Sequence, residues 1–258
     1  MSQIIALTNQ KGGVGKTTTA VNLAASLAAL DRRVLLVDLD PQGHATMGSG
    51  IDKHTLEGSV LDLLLGEKSA PEVMLDCPTA GYSLLPGNGD LTAAEVELLY
   101  RAEGRERSLT EALASVAGEY DVVLIDCPPS LGVLTINGLT AAGEVLVPLQ
   151  CEALSQRGVG QLLETIDDVR TFANPDLQVL GVIATMYDER TRHGREVLHD
   201  VGERYGLPVL TPPIRKSIRF AEAPGRGRCI LQHAPQSPGA EAYRAIAAQL
   251  AAARRSRR

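Results

Sequence analysis

The chain has 258 residues, of which 44% are hydrophobic and 3% aromatic, and its formal net charge is −6. This size and composition predict a single α/β domain over residues 1–258, and no run of eighteen apolar residues is present to cross a membrane. The four cysteines are isolated and show no C-x-x-C spacing. This pattern indicates neither a disulfide framework nor a zinc site, and it favours a cytoplasmic protein.

The first predicted elements are a strand, a glycine-rich loop and a helix. Residues 4–7 are an apolar, β-branched run typical of a buried parallel strand. Residues 18–30 carry apolar side chains at helical spacing. The loop between them reads Lys11-Gly12-Gly13-Val14-Gly15-Lys16-Thr17-Thr18. Its glycines allow backbone N–H groups to approach phosphate oxygens at a helix N-terminus, so the whole loop is predicted to contact a nucleotide.

The residue types of this loop predict how phosphates would be held. Lys16 would reach the β- and γ-phosphates, and the Thr17 hydroxyl would bind Mg²⁺. The ordinary phosphate loop has a glycine at the position of Gln10, so this segment departs from it, and Lys11 is an additional lysine. The simpler alternative is a glycine-rich turn that binds no ligand. The presence of two lysines, a threonine and a strand–helix frame argues against this alternative.

Two further predicted strands end in aspartates. The strand over residues 33–39 leads into Asp38 and Asp40, and the strand over residues 122–125 is followed by Asp126. Because ligands of open α/β sheets lie beyond the carboxyl ends of strands, these carboxylates should lie beside the loop. Asp126 is predicted to hold Mg²⁺ through water, Asp40 to lie at the metal and orient or deprotonate the attacking water, and Asp38 to lie near either. A single strand-end aspartate is often only a turn former.

The rest of the chain alternates between predicted helices and strands and shows no internal repeat. Helices are predicted over residues 55–66, 91–100, 108–117, 158–172 and 240–252, and strands over residues 84–86, 145–149 and 179–185. The order of the strands in the sheet does not follow from these elements.

Positive charge is concentrated at the C-terminal side. Residues 1–185 carry 11 Lys and Arg against 24 Asp and Glu, whereas residues 186–258 carry 14 against 7. A surface for nucleic acid is one interpretation, because arginine pairs well with phosphate, and a solvated face is the other. The cations before the basic tail of residues 253–258 include Arg190, Arg192, Arg195, Lys216, Arg219, Arg226 and Arg228. With so few aromatic residues, stacking on single strands is not expected.

Several segments together carry a resemblance to a known family. The three most specific are NQKGGVGKTTTA (9–20), VDLDPQG (37–43) and IDCPPSL (125–131), with further matches at residues 147–152, 185–188 and 221–224. With these segments the chain resembles the deviant Walker A ATPases, and within them the ParA/Soj chromosome- and plasmid-partitioning proteins. The resemblance covers almost the whole chain. It implies a P-loop NTPase-like, twisted, mainly parallel sheet with helices on both faces.

The resemblance also implies an activity and partners. The expected activity is slow ATP hydrolysis that uses ATP/ADP and Mg²⁺ and drives DNA segregation. Lys11 would reach across a homodimer to the phosphates bound by the other subunit, so dimerisation would depend on ATP. The dimer would bind double-stranded DNA without sequence specificity in the nucleoid, with Arg190 and Arg219 matching the family's DNA-contact positions best. A ParB/Spo0J-like partner would stimulate hydrolysis and release.

Three segments depart from the family pattern. The run from Leu154 to Arg157 replaces the aromatic-rich segment that usually follows Gln-Cys-Glu. His44 replaces the asparagine that usually follows Asp-Pro-Gln-Gly, and it is interpreted either as a surface residue or as a dimer contact. The run from Arg215 to Ser217 stands where Pro-Arg-Asn is common, a segment that helps hold adenine in relatives. The residues expected near the adenine ring are therefore Met186, Pro213, Ile214, Arg215 and Ser217.

Two other functions remain as alternatives. A MinD-like, membrane-associated ATPase that positions the cell-division site would need a C-terminal amphipathic helix with bulky apolar residues. Residues 249–258 offer one leucine among alanines and arginines. An electron carrier like the nitrogenase iron protein would need cysteines that bridge a 4Fe–4S cluster between subunits. Cys127 follows Asp126 directly and is too close to the nucleotide site for that role.

Overall fold

Eight strands form one sheet with helices on both faces, which confirms the predicted α/β class. The computed structural model describes residues 2–101, 103–151, 155–190 and 192–256. The strands β1 to β8 are Gln3–Leu7, Val34–Asp38, Leu75–Cys77, Tyr82–Leu85, Val122–Asp126, Glu144–Gln150, Gln178–Thr185 and Val209–Leu210. The helices α1 to α12 are Lys16–Ala28, His44–Gly48, Val60–Leu65, Ala70–Val73, Leu91–Tyr100, Ser108–Leu113, Val133–Ala141, Ser155–Phe172, Arg192–Tyr205, Arg219–Glu222, Ile230–His233 and Pro238–Ser256.

The strand order brings the ends of three central strands together. The order is β3-β4-β2-β5-β1-β6-β7-β8, and every neighbouring pair is parallel except β3 with β4. β5 lies between β1 and β2, and Asp126 is in register with Leu7 on one side and with Asp38 on the other. The segments that follow β1, β2 and β5 therefore emerge side by side at one edge of the sheet, where ligands of open α/β sheets bind.

Both faces of the sheet are buried, which explains the continuous apolar runs of its central strands. In β1, Ile5 and Leu7 pack in the core layer that contains α1, α11 and α12, whereas Ala6 packs in the layer that contains α3 and α5 to α9. The same alternation holds for Leu124 and Ile125 in β5. In the part of the chain that the structure describes, no helix is long and apolar enough to cross a membrane.

The helix predicted over residues 55–66 is shorter than expected because a capping box fixes its start. The Ser59 side chain accepts a hydrogen bond from the backbone N–H of Leu61 at 3.2 Å, and the Asp62 carboxylate accepts one from the Ser59 N–H at 2.7 Å. This reciprocal cap satisfies N–H groups that the first helical turn leaves unpaired. Gly66, with φ of 77°, ends α3 in the left-handed conformation.

Other elements differ from the predictions for local reasons. The helix predicted over residues 108–117 stops at Leu113, and a separate 3-10 turn follows at Ala117–Glu119. α7 was not predicted because its sequence, VLTINGLTA, is apolar around most of its circumference and shows no polar face. The two-residue strand β8 and the antiparallel edge strand β3 are too short to give a periodic signal.

A glycine in α7 gives a test of how tightly this layer packs. A Cβ at Gly138 would lie 2.7 Å from the Cys127 sulfur and 3.2 Å from a Leu39 methyl carbon. We expect Gly138→Ala to lower the free energy of unfolding, because overpacking costs about 1–3 kcal/mol and exceeds a helix-propensity gain of up to about 1 kcal/mol. The matched control is Gly202→Ala in α9, where a Cβ would meet nothing within 4 Å. That control should stabilise the protein in urea titration, and equal stability of the two variants would contradict the packing argument.

Candidate nucleotide-binding site

The loop between β1 and α1 presents unpaired backbone groups at a helix N-terminus. Gly13 and Gly15 have φ of 74° and 86°, values that favour glycine because a Cβ would clash with the backbone. Gly15 is the N-cap of α1, and no side chain caps this helix. The first N–H groups of α1 are therefore left for a ligand, and the helix dipole favours an anion there.

Two side chains that sequence reasoning missed hold the loop in place. The Asn9 amide donates a hydrogen bond to the Pro148 carbonyl in β6 at 2.8 Å, and the Asn9 side-chain oxygen accepts one from the Lys11 N–H at 3.0 Å. The Thr185 hydroxyl, at the end of β7, donates to the Val14 carbonyl at 2.7 Å. The loop is thus fastened to two neighbouring strands before any ligand binds. These contacts join residues far apart in the chain, so no local pattern indicates them.

The two lysines of the loop differ in their surroundings. Lys16 is buried, and its ammonium donates a hydrogen bond to the Lys11 carbonyl at 3.3 Å. Burial lowers the pKa of Lys16, while the nearby Asp126 and Asp40 carboxylates act in the opposite direction. Lys11 is half-buried at the start of the loop. The charge of Lys16 therefore lies inside the site, near Asp126 and Asp40.

Asp126 is the least satisfied polar group of the site. It is completely buried at the end of β5, and neither of its carboxylate oxygens has a hydrogen-bond partner among the described residues. Burial raises the pKa of Asp126 well above its ordinary value, and the Asp38 charge raises it further, while the nearby Thr17 hydroxyl and Lys16 lower it. A buried carboxyl group without hydrogen-bond donors is costly to ionise, so a cation or donors from a ligand would favour its charged form.

The two aspartates after β2 have different roles in the structure. Asp38 is buried and accepts hydrogen bonds from the backbone N–H and the hydroxyl of Thr46, at 2.7 and 2.6 Å. Burial is the main reason that its pKa rises to about 6. Asp40 is also buried, and one of its oxygens accepts a hydrogen bond from the Gln42 N–H at 2.9 Å. Asp38 therefore braces α2, whereas Asp40 lies at the turn that faces the loop edge.

These residues fit a magnesium ion that is held mainly by oxygen atoms of a nucleotide and water. Mg²⁺ in phosphate sites usually keeps several waters and takes only one or two protein ligands. In the described ranges no group of three His, Cys, Asp or Glu side chains could hold a metal by itself. Thr17 offers a hydroxyl, and Asp126 and Asp40 offer carboxylates that could bind the ion's waters. The two unpaired oxygens of Asp126 are the observation that favours this arrangement.

A cavity of about 270 Å³ opens beside the loop. Its lining residues are Gly15, Thr18, Thr185, Met186, Ile214, Arg215, Lys216, Ser217, Phe220, Ala221 and Tyr243. It includes four of the five residues expected at adenine. The exception is Pro213, which does not line the cavity. The N–H of Ile214 donates to the Ala184 carbonyl and the Ile214 carbonyl accepts from the Tyr187 N–H, so Ile214 lines the cavity instead. Met186 adopts an unusual φ of 50° at this point.

Two aromatic residues form a wall of this cavity and were not predicted there. Phe220 and Tyr243 stand edge to face, with ring centroids 5.9 Å apart. The Tyr243 hydroxyl shares a hydrogen bond of 3.1 Å with the Thr19 hydroxyl in α1. Tyr243 also packs in the core layer that contains α1 and α12, so it serves both the core and the cavity.

The described members of the set of cations predicted to bind DNA have different local partners. The Arg190 guanidinium donates two hydrogen bonds to Asp188, at 2.9 and 3.0 Å, which lower the pKa of Asp188 to about 2. Arg219 pairs with Glu222 at 3.0 Å. Lys216 lines the base cavity, and the side chains of Arg192 and Arg195 lie outside the described residues.

The two remaining predicted cations lie on the other side of Phe220. Arg228 lines a second cleft of about 330 Å³, together with Thr17, His44 and Met47. Arg226 lines the neighbouring cleft that separates α2 from the 3-10 turn at Pro224–Arg226. The basic tail begins within α12, and residues 257–258 lie outside the described ranges.

A strand–loop–helix with two lysines and a strand-end aspartate define a P-loop nucleoside triphosphatase of the deviant Walker A type. A family model described as an AAA domain matches residues 2–179. Chromosome-partitioning ATPase Soj of Thermus thermophilus is 50% identical over 248 residues, which cover 96% of this chain and 95% of that protein. Sporulation initiation inhibitor protein Soj of Bacillus subtilis is 44% identical over 252 residues, covering 98% and 99%. The chain belongs to the ParA/Soj family of ATPases.

A solved structure gives the same fold with ligands bound. The structure of cobyrinic acid a,c-diamide synthase from Mycobacterium smegmatis, with a bound ATP analog and magnesium, superposes with a TM-score of 0.89. Its sequence is 50% identical, and the match covers 100% of this chain and 98% of that chain. The α/β fold of this chain is therefore one on which a related protein holds an ATP analog and magnesium.

The unpaired carboxylate of Asp126 predicts a gain in stability when its charge is removed. Without nucleotide, Asp126→Asn should raise Tm, and each 1 kcal/mol gained corresponds to about 2–4 °C for a chain of this size. Because burial raises the pKa of Asp126, the folded protein holds a proton that the unfolded chain has lost, so wild-type stability falls as the pH rises through the raised pKa. The difference in Tm should therefore widen as the pH rises above the ordinary aspartate pKa of about 4 towards the raised value. Exposed Asp176→Asn is the control, and a difference independent of pH would contradict the assignment.

Proposed function

We propose that this protein is an ATP-driven DNA-partitioning switch that works at the nucleoid. ATP binding would join two subunits, the dimer would bind double-stranded DNA without sequence specificity, and a ParB/Spo0J-like partner would stimulate hydrolysis and release. The observation that carries the proposal is the loop with Lys11 and Lys16 next to the buried, unpaired carboxylate of Asp126. Proteins of this family that are named for chromosome partitioning match nearly the whole chain.

The nucleotide would lie along the loop edge of the sheet. Loop residues from Lys11 to Thr18 would surround the phosphates, and the base would enter the cavity beside Met186 and Ile214. Thr17, Asp126 and Asp40 would hold Mg²⁺, which supplies positive charge against the phosphate oxygens. Lys16 would add a second positive charge from its buried position, where electrostatic attraction is strong because water is excluded.

Hydrolysis would depend on Asp40 and on the two lysines. The Gln42 N–H fixes one oxygen of the Asp40 carboxylate, so the other oxygen can orient the attacking water and accept its proton. Positioning and electrostatic stabilisation supply most of phosphoryl-transfer catalysis. If some of the catalytic charges come from a second subunit or a partner, a single subunit would hydrolyse ATP slowly. Slow hydrolysis would let the nucleotide state time how long the protein stays bound to DNA.

Lys11 would act on the nucleotide of the other subunit. The Lys11 N–H donates a hydrogen bond to the Asn9 side chain, and the Lys11 carbonyl accepts one from the Lys16 ammonium. These two bonds hold the start of the loop in place. Two ATP molecules held between two subunits concentrate negative charge, and a lysine from each side would offset it. Dimerisation would then require the γ-phosphate.

The trans role of Lys11 predicts a variant that separates binding from assembly. Lys11→Ala should keep its ATP affinity within about tenfold of wild type, because Lys16 remains, and it should stay monomeric with ATP. Light scattering after gel filtration with ADP, with ATP and with ATP plus DNA measures this directly. Lys68→Ala, whose side chain pairs with Asp62 away from the loop, is the control and should dimerise. An ATP-dependent Lys11→Ala dimer with normal hydrolysis would refute the proposal.

DNA binding would use arginines that already have weak partners. The Arg190 side chain is 86% exposed and that of Arg219 is 57% exposed, although each makes an ion pair. Exposed ion pairs contribute little, so a DNA phosphate can replace the carboxylate at small cost. Binding of this kind depends on phosphate neutralisation and weakens steeply with salt.

Charge reversal tests these two positions. Arg190→Glu with Arg219→Glu should reduce affinity for duplex DNA by more than tenfold, and the slope of log affinity against log salt should fall by about one for each lost phosphate contact. ATP-dependent dimerisation should persist. Arg33→Glu, at the opposite edge of the sheet beside Asp121, should bind DNA as wild type does. Fluorescence anisotropy over a salt series measures both quantities, and unchanged affinity of the double variant would remove these arginines from the proposal.

The MinD-like alternative is disfavoured by the packing of the last helix. A membrane-binding amphipathic helix needs bulky apolar residues on its outer face. Leu250, the one leucine of residues 249–258, is buried in the core layer that contains α1 and α12. It is therefore not available to insert into a lipid surface.

The name of the Mycobacterium smegmatis protein, cobyrinic acid a,c-diamide synthase, points to another use of ATP, the formation of a diamide. An enzyme that draws the ammonia from glutamine needs a reactive nucleophile, often a cysteine thiolate. Burial raises the pKa of Cys77 and of Cys151 to about 11, and it also raises the pKa of Cys127 and Cys229. Three of the four cysteines are buried and Cys151 is half-buried, so none of them is an exposed thiol.

A further inference from the structure

Helix α5 turns three large apolar side chains towards solvent. Val96, Leu99 and Tyr100 are 53%, 61% and 84% exposed. Their spacing of three and four residues places them on one face of the helix. The opposite face of α5 carries Leu91, Ala94 and Leu98, which are buried. Exposed apolar residues are ordinary when scattered, but a contiguous stripe on one helix face indicates a binding surface.

Acidic side chains border this stripe on both sides. Glu95 and Glu97 lie one residue before and one residue after Val96, so at about 100° per residue they flank it symmetrically. Glu97 is exposed and Glu95 is half-buried. In helix pairs, an apolar seam supplies the contact and charged residues beside it set the pairing specificity, because opposite charges meet at the edges.

α5 is connected to the nucleotide site at two points. The Glu95 carboxylate lies over Gly132, since a Cβ on that glycine would be 3.3 Å from it, and Gly132 begins α7 in the segment that follows Asp126. Just before α5, the Gly87 N–H donates a hydrogen bond of 2.9 Å to the Thr46 hydroxyl, which donates to Asp38. A molecule bound to α5 would therefore contact a helix that is itself linked to both aspartate segments.

We propose that the outer face of α5 is where the hydrolysis-stimulating partner docks, through a helix whose apolar seam is flanked by lysine or arginine. This inference rests on the proposed function. A second copy of this chain is a poorer occupant, because two α5 helices related by a two-fold axis would bring their own glutamates together. A helix with an apolar seam and basic flanks would cover the apolar stripe and pair with the glutamates beside it.

The proposal is tested by removing the stripe while leaving the catalytic residues intact. In Leu99→Ser with Tyr100→Ser, the concentration of the cognate ParB-like protein that gives half-maximal stimulation should rise about tenfold or more, as for loss of an aromatic anchor. Glu97→Lys should also weaken stimulation, most strongly at low salt. Basal hydrolysis, DNA binding and Tm should match wild type. The matched control is Phe172→Ser, which removes an apolar side chain that is 82% exposed at the end of α8 and should leave stimulation unchanged.

A second measurement keeps this inference distinct from the proposed function. Fluorescence anisotropy would follow binding of a synthetic amphipathic peptide of leucine and lysine, with a leucine and glutamate peptide as its counterpart. Only the lysine peptide should bind, and only to proteins with an intact stripe. If the ParB-like protein does not stimulate the wild type, the partitioning proposal fails. Peptide binding would still show whether the outer face of α5 is a docking surface. Equal stimulation of the double variant, or a change in its ATP-dependent dimerisation, would overturn the assignment.

Discussion

A buried carboxylate without a hydrogen-bond partner, near a buried lysine, is the constraint that organises this molecule. Three central strands must end in register to place Asp126 beside the loop, and burial then raises its pKa while it lowers that of Lys16. Such a site costs stability when it is empty, because each charge is only partly compensated. A bound nucleotide and its cation would offset that cost, because they supply charges opposite to those of Lys16 and Asp126.

The phosphate loop is joined through β7 to the segment that carries Arg190. Thr185, at the end of β7, donates to the loop, and the next residues are hydrogen-bonded to the base-cavity segment through Tyr187 and Ile214. Arg190 follows directly and is held by Asp188. The glycine-rich loop, the cavity beside it and this arginine are therefore linked by one continuous piece of backbone. The structure thus provides a physical path by which nucleotide binding and a basic surface can affect each other.

The sequence predicted the parts of the site that are local in the chain. The loop residues, the strand-end aspartates and the class of sheet follow from motifs and apolar runs whose spacing has a direct physical meaning. Contacts between distant residues could not be predicted, and these include Asn9 with Pro148 and Phe220 with Tyr243. Asp38 was predicted near the metal or the loop, and its charge acts on Asp126. Its hydrogen-bond partner Thr46, eight residues further on, could not be predicted from the motif.

The hydrogen bond between Thr19 and Tyr243 has a consequence for how the protein reaches its native state. It joins residues 224 positions apart, and it closes the wall of the base cavity against the helix that follows the phosphate loop. Contacts of such long sequence separation form late, because the closure entropy of the intervening chain must be overcome first. A partly folded chain would have the loop but an incomplete cavity. A ligand that fills both would bind only the finished fold, and by mass action it would favour completion of folding.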